Sequence, residues 1–404
     1  PSHPQGQTMT GRSPAPSRRA FLGTAAAAGI GGLAWFAARP ATAAPPPPAA
    51  RRAYIGGFTA GEYGLPGLPG IGIGSVGADG SLRIDGYHEG IDNPSYLAAG
   101  PRGDVLYAVS QTGDGHVHAF RIGGDGGLEP LNAAPTEGAA PVHLAAHPDG
   151  RFLMTANYDS AGVAVHALAE DGSIGALLDL VEHEGSGPDP EEQAAPHPHM
   201  CLFVPGTHDV IVPDKGNDHV YVYSLDPGTG RLTERSRTLV AEGAGPRHAA
   251  LHPSGRHLYV SNELGSTVTA FAYDPVGAVL TPGESVSVAA PGADPRNAPS
   301  GVVVDAGGRF VLTADRGLDT VVSYAVRDGG ASLDLVESQP VTTKGPGTRW
   351  PRGIALDPSG RYVYAANQAG QSVTVHRVSA AGRLTPVGAP VPVASPSCVV
   401  LSER

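Results

Sequence analysis

Cysteine is nearly absent from this chain of 404 residues. The two cysteines, Cys201 and Cys398, each lie within a short apolar run, HMCLFV and PSCVVL. Small domains that depend on disulfides, and zinc sites built from thiolates, need more cysteines than this. The scarcity argues against both classes and predicts two buried thiols in β-strands.

Charged residues are also scarce, at 16% of the chain, and an excess of acidic residues gives a formal net charge of −11. Proteins that bind nucleic acid without sequence preference present a basic surface to the phosphates. We therefore predict no nucleic-acid partner. The sequence also lacks a G-x-S-x-G motif, so a serine-hydrolase mechanism has no support.

A long apolar run is missing too, because a transmembrane helix needs about 20 such residues. The stretch TAAAAGIGGLAWFAA at 24–38 is shorter, follows Arg18 and Arg19 in SRRAFLG, and precedes the cleavage candidate A-T-A at 41–43. This order is typical of a twin-arginine (Tat) export signal. We predict a signal segment at 1–43 and a Pro/Ala-rich linker at 44–51. The Tat machinery would then deliver the mature protein to the periplasm or the exterior, with no membrane segment after cleavage.

Glycine and proline, by contrast, are abundant, at 57 and 39 residues. Seven of the prolines open a repeat that contains an apolar strand, a turn that mostly contains glycine, and further alternating strands. Four short strands that recur every 45–57 residues predict the blades of a β-propeller. The repeats, numbered one to seven, open with PSYLAAG at Pro94, PVHLAAH at Pro141, PHMCLFV at Pro198, PRHAALH at Pro246, PSGVVVD at Pro299, PRGIALD at Pro351 and PSCVVLS at Pro396.

The seventh repeat is incomplete, because the chain stops at Arg404 after the first strand of that repeat. The stretch AYIGGFTAG at 53–61 resembles YVYAANQAG at 362–370, so the beginning of the chain can supply the missing strands. Such closure removes the exposed edges of an open sheet. We therefore predict an all-β protein, with residues 52–404 forming one seven-bladed β-propeller that is closed by strands from both termini.

Two positions in each repeat should face the axis of the propeller on the same side. The first directly follows the proline, and the second lies 17 residues after the proline, where the second strand ends. In repeats three to six, six of these eight positions carry ionisable side chains, whereas the other repeats supply Ser, Val, Gln and Tyr. A purely structural salt bridge on the surface would matter little, and a structural device would recur in every blade. The converging ionisable residues are His199, Lys215, Arg247, Glu263, Arg316 and Arg352.

At these residues the chain resembles the seven-bladed lactonase family, which includes bacterial 6-phosphogluconolactonase and fungal carboxymuconate-lactonising enzymes. The resemblance covers nearly all of 53–404 and is carried mainly by AGPRHAALHP, YVSNEL, GSGPDPEEQAAPHPH and TADRGLDTV. It implies an active site made of a histidine, two arginines and a glutamate. Matched motif by motif, these are His199, Arg247, Arg316 and Glu263.

The chemistry of lactone hydrolysis fits those four residues. A base must activate water, and a cation must stabilise the oxyanion that develops on the carbonyl. His199 is the natural base, Glu263 could orient it or carry the proton itself, and the arginines would bind the oxyanion or an anionic substituent. We predict further substrate contacts from Arg352, Lys215, Tyr158, His248 and Asn262, and no cofactor. His197 and His199 alone do not make a metal site, since no third ligand has suitable spacing.

These observations predict a lactone hydrolase of the 6-phosphogluconolactonase type, exported and acting on a small anionic lactone, either of sugar type or carrying a carboxylate. Two alternatives remain open: a muconate-type lactonising isomerase, and a propeller that binds a ligand or protein without catalysis. Glu192 stands where members of the family often have arginine, which weakens the expectation of a phosphorylated substrate. The acidic run 189–192 that contains it should form the rim of the site.

Overall fold

The computed structural model describes residues 51–61, 64–289, 297–341 and 350–402. Regular structure in these residues consists of β-strands and one short 3-10 helix, Asp328–Gly330. The strands form seven antiparallel sheets that follow one another along the chain, so the predicted seven-bladed all-β fold is confirmed. No helix among the described residues has the length and hydrophobicity to cross a membrane.

Each blade carries the number of its repeat, and its strands are given from the axis outward. Blade 1 contains Leu97–Ala99, Val105–Ser110, His116–Ile122 and Leu128–Pro135. Blade 2 contains Pro141–Ala146, Phe152–Asn157, Gly162–Leu168 and Ile174–Glu182. Blade 3 contains Leu202–Phe203, Asp209–Asp214, His219–Leu225 and Leu232–Leu239. Blade 4 contains Pro246–Leu251, His257–Asn262, Thr267–Asp274 and Val279–Ser287.

The remaining blades keep this plan with two variations. Blade 5 contains Pro299–Val304, Phe310–Asp315, Thr320–Arg327 and Ser332–Pro340. Blade 6 contains Pro351–Leu356, Tyr362–Asn367 and Ser372–Val378, and its outer edge is divided into Leu384–Pro386 and Val391–Pro392. Blade 7 contains Pro396–Leu401, Arg51–Gly57, Gly70–Val76 and Leu82–Glu89.

Blade 7 closes the ring with strands from both ends of the chain. The C-terminal strand Pro396–Leu401 is innermost and pairs antiparallel with Arg51–Gly57, with Ala53 opposite Leu401. This is the predicted closure. The first strand begins at Arg51, one residue inside the predicted linker, and the predicted signal segment lies outside the described residues.

The hydrophobic core is divided into seven clusters, and each cluster lies between two neighbouring blades. Buried tyrosines reinforce four of these contacts by donating a hydrogen bond to a glycine carbonyl in a turn of the next blade. The pairs are Tyr54 with Gly126, Tyr107 with Gly172, Tyr259 with Gly330, and Tyr364 with Gly80, at 2.8–3.0 Å. Cys201 and Cys398 are both buried and free, as predicted, but only Cys398 lies in a β-strand, because the inner strand of blade 3 begins at Leu202.

The inner strands of blades 1 and 3 are shorter than the sequence predicts. In blade 3 the strand begins at Leu202, although Pro198 still forms an isolated bridge with Asp214. The backbone amide of Cys201 donates its hydrogen bond to Nδ1 of His143 in blade 2, at 3.3 Å, instead of to the neighbouring strand of its own blade.

Candidate active site

In blades 2, 4, 5 and 6 a β-bulge follows the blade's proline and takes the next residue out of the strand pairing. In blade 4, Pro246 pairs with Asn262 and His248 pairs with Ser261, so Arg247 is the extra residue. Bulges re-aim a side chain and are frequent near active sites. The same irregularity follows Pro141, Pro299 and Pro351.

A repeated backbone hydrogen bond fixes the second ring of residues. The amide of Glu263 donates to the carbonyl of Gly245, the residue before the blade's proline, at 2.7 Å. Lys215 donates in the same way to His197 at 3.0 Å, and Arg316 to Ala298 at 3.2 Å. The constant spacing of 17 residues therefore corresponds to a constant position in space.

The two rings surround a cleft of about 300 Å³ at one end of the axis. Of the nine predicted site residues, seven line it: Tyr158, His199, Lys215, Arg247, Glu263, Arg316 and Arg352. Gln111, Val142, Glu192 and Trp350 complete the wall.

Glu263 is the centre of the charged groups in the cleft. Its Oε2 lies 2.9 Å from Nε of Arg247 and 2.6 Å from Nη2 of Arg316, and its Oε1 lies 3.1 Å from Nζ of Lys215. The two arginine nitrogens are close ion partners, but their N–H bonds do not have hydrogen-bond geometry toward the carboxylate. The two guanidinium groups are therefore held close to Glu263, while some of their N–H donors have no acceptor among the described residues.

The local charges decide the protonation state of these groups. Burial alone would raise the pKa of Glu263, but the attraction of Arg316, Lys215 and Arg247 outweighs it and holds that pKa well below the usual range. Burial and the neighbouring Arg316 lower the pKa of Arg247 to about 9, which leaves the side chain charged at neutral pH. Glu263 is consequently a fixed anion and a poor proton acceptor.

His199 is buried beside this cluster. Its ring lies edge-on to the rings of Tyr158 and His248, with centroids 5.5 and 5.3 Å away. Burial, together with repulsion from Arg247, His248 and Arg352, lowers the pKa of His199 well below its ordinary value. The imidazole is therefore neutral at pH 7, so one ring nitrogen keeps an unprotonated lone pair, and the same shift makes it a weak base.

A smaller cavity of about 20 Å³ continues from the cleft along the axis. His199 and Arg247 line both spaces, whereas His248 lines only the smaller one. The substrate contact predicted for His248 would therefore require a molecule that reaches the smaller cavity.

Asn262 does not line the cleft. Its Nδ2 donates to Oγ1 of Thr267 at 2.9 Å and to Oγ1 of Thr269 at 2.7 Å, within its own blade. Asn367 occupies the same place in blade 6 and donates to Oγ1 of Thr374 at 3.1 Å. This recurrence marks a structural role, so the prediction that Asn262 binds substrate is not supported.

The sequence reasoning missed Trp350 as a wall of the cleft. Trp350 directly precedes the proline of blade 6, so it belongs to neither of the two sets of positions that the repeats define. Its backbone φ of 51° lies in the left-handed region.

His197, considered above as half of a metal pair, instead stacks on Tyr158 with ring centroids 4.1 Å apart. Within the described ranges, no three His, Cys, Asp or Glu residues are grouped to hold a metal ion.

These features define a seven-bladed propeller with a buried, charged site at one end of the axis. The family described as "Lactonase, 7-bladed beta-propeller" matches residues 52–401, and the chain belongs to this family. The predicted family is confirmed.

Two groups of relatives agree with this assignment. The 6-phosphogluconolactonase of Bacillus subtilis is 35% identical over 312 residues, covering 76% of this chain and 87% of the relative. Among solved structures, a protein from Lactobacillus plantarum has a TM-score of 0.79 at 28% identity, covering 88% of this chain and 100% of that one. The periplasmic gluconolactonase of Pseudomonas aeruginosa has a TM-score of 0.78 at 27% identity, covering 87% and 99%. The predicted enzyme class, a lactone hydrolase, is thus confirmed.

Proposed function

We propose that this protein hydrolyses a small anionic lactone, either of sugar type or carrying a carboxylate, in the cleft around Glu263. The observation that carries the proposal is one carboxylate, 13% exposed, with three cations within 3.1 Å, beside a buried neutral histidine. Names of the relatives, which include a 6-phosphogluconolactonase and a gluconolactonase, support the reaction type.

His199 acts as the general base in this proposal. Its neutral imidazole takes a proton from water as the water oxygen attacks the lactone carbonyl carbon. Arg247 and Arg316 stabilise the negative charge that develops on the carbonyl oxygen. The ring C–O bond then breaks, and the leaving oxygen takes up a proton to give the open hydroxy acid. Glu263 keeps the cations in position and does not carry the proton.

The balance of charge favours an anionic substrate. Four cations, Lys215, Arg247, Arg316 and Arg352, line the cleft with two carboxylates, so the lining carries a net charge of about +2. The chain as a whole has a formal net charge of −11. A positive cleft in an acidic protein attracts a small anion to that one place.

A lactone panel tests the proposal. The purified protein is incubated with neutral, carboxylated and phosphorylated lactones, and acid release is followed by titration at constant pH, with the spontaneous rate subtracted. We expect saturable hydrolysis of at least one lactone. If hydroxy acids are instead converted into lactones, the lactonising alternative is correct. If lactones or their acids bind without turnover in either direction, the protein is a ligand-binding propeller without catalytic activity.

We further propose that residues 1–43 form a Tat signal and that the mature protein works in the periplasm or outside the cell. Support comes from Arg18 and Arg19 before the apolar stretch. The description of the Pseudomonas aeruginosa relative as periplasmic is consistent with it. Replacing both arginines by lysine should retain the protein in the cytoplasm. Unchanged export of that variant would refute the assignment.

A further inference from the structure

Glu192 stands at the mouth of the cleft, and the mechanism above gives it no role. Its side chain is 50% exposed, and its Oε2 lies 2.5 Å from Nζ of Lys215. It therefore presents a carboxylate both to the solvent and to any molecule that enters.

The loop that carries Glu192 is held firmly. Oδ1 of Asp189 accepts hydrogen bonds from the amides of Glu191 and Glu192 at 2.9 and 3.0 Å. The next residue, Gln193, is fully buried and donates to the carbonyl of Lys215 at 2.8 Å and to Oδ1 of Asp218 at 2.7 Å. The backbone of Glu192 is thus fixed relative to the strand end that supplies Lys215.

Lys215 has no donor to spare while Glu192 is in place. An ammonium group has three N–H bonds, and three acceptors surround this one: Tyr158 Oη at 3.0 Å, Glu192 Oε2 at 2.5 Å and Glu263 Oε1 at 3.1 Å. The cation next to Glu192 is therefore satisfied by protein. Without the Glu192 carboxylate it would be available to an incoming anion.

We propose that Glu192 is a specificity-determining residue that excludes phosphate esters from the outer end of the cleft and favours a lactone with hydroxyl groups there. This rests on the proposed function and narrows its substrate class. The carboxylate accepts hydrogen bonds from sugar hydroxyls, whereas a phosphate dianion would meet a like charge and find Lys215 already paired. The cationic inner end still receives the developing oxyanion or a substrate carboxylate.

The test compares glucono-1,5-lactone with its 6-phosphate. In the native protein kcat/KM should be higher for the unphosphorylated lactone. Glu192→Gln keeps the shape and removes the charge, so it should raise the ratio of kcat/KM for the phosphorylated to the unphosphorylated lactone at least about tenfold. Added salt should narrow the difference in that ratio between the native protein and Glu192→Gln, because salt screens the exposed charge that distinguishes them. Glu191→Gln is the matched control, since the neighbouring carboxylate does not line the cleft and should leave the ratio unchanged.

A second readout does not depend on turnover. Calorimetric titration with gluconate and 6-phosphogluconate should show the same relative gain for the phosphate in Glu192→Gln. If neither lactone nor any other is hydrolysed, the proposed function fails, and these binding ratios still decide the role of Glu192. An unchanged ratio in both experiments, or an equal effect of Glu191→Gln, would overturn the inference while leaving lactone hydrolysis intact.

Discussion

Glu263 connects three blades, because it pairs with Lys215 of blade 3, Arg247 of its own blade and Arg316 of blade 5. Removing one partner from a buried ion cluster leaves charges uncompensated and typically destabilises a protein by about 3–5 kcal/mol. Glu263→Gln should therefore lower the melting temperature at pH 7 and abolish most activity. Glu284→Gln, on the exposed outer strand of the same blade, is the control for the loss of a charge.

The pH dependence of that effect has a defined sign. The pKa of Glu263 is lowered in the folded state, so the carboxylate stabilises the fold above the unfolded pKa of about 4.3. That stabilisation disappears as the pH falls through the lowered pKa. The difference in melting temperature between the native protein and Glu263→Gln should thus narrow below about pH 4. A difference that is constant from pH 7 to pH 3 would contradict the ionised, cation-bound state.

His199 makes a separate prediction about rate. Because burial and nearby cations lower its pKa well below 6.5, the imidazole stays neutral over the whole neutral range. The kcat/KM of lactone hydrolysis should be flat around pH 7 and fall only in the acid range, with a midpoint clearly below 6.5. A midpoint at or above 6.5 would mean that His199 is not the base or is not desolvated in the working enzyme.

At this scale the sequence predicted the charged residues well and their detailed surroundings poorly. Arg247 followed from a bulge after the proline that several blades share, and Glu263 and Arg316 from one repeated backbone hydrogen bond. His199 followed from its position after Pro198, before the inner strand of blade 3 begins. The side chain of a neighbour in a strand points to the opposite face, which explains why Asn262, directly before Glu263, forms hydrogen bonds within its own blade.

At the scale of structural elements, the asparagines that end the second strands of blades 4 and 6 provide a test of stability against binding. Asn262 and Asn367 make similar hydrogen bonds to Thr or Ser side chains five and seven residues later. Loss of buried hydrogen bonds leaves unsatisfied partners and destabilises by about 1–3 kcal/mol. Asn262→Ala and Asn367→Ala should therefore lower the unfolding free energy by similar amounts and leave KM near the native value. A large rise in KM for Asn262→Ala alone would restore its role in binding.

Loops and strand-flanking segments limit what the sequence can predict about the cleft. Trp350 reaches the wall from a left-handed backbone position just before a strand, and no repeat of residue types marks it. The sequence did place Glu192 at the rim, because its acidic run comes shortly before His199. Its pairing with Lys215, however, depends on the turn at Asp189 and on the anchoring of Gln193, which are tertiary features.

For the whole molecule, closure of the ring is the feature on which stability depends. Each core cluster joins neighbouring blades, so an open seventh blade would expose the cores on both of its sides. Deletion of residues 396–404 removes the inner strand of blade 7 and should abolish cooperative thermal unfolding and soluble expression. Deletion of residues 403–404 alone serves as the control. Native melting behaviour of the longer deletion would show that closure does not hold the ring together.

The most direct test of the central claim, that the residues around Glu263 form a lactonase site, is the kcat/KM of His199→Ala and Arg247→Lys with an accepted lactone. Both values are measured beside the melting temperatures of the same preparations. We predict a loss of about 10²–10⁴-fold for His199→Ala with a melting temperature close to native. Arg247→Lys should also be severely impaired despite its retained charge, because an ammonium group cannot replace the guanidinium fork. Near-native kcat/KM in both folded variants would contradict the account and place the chemistry elsewhere.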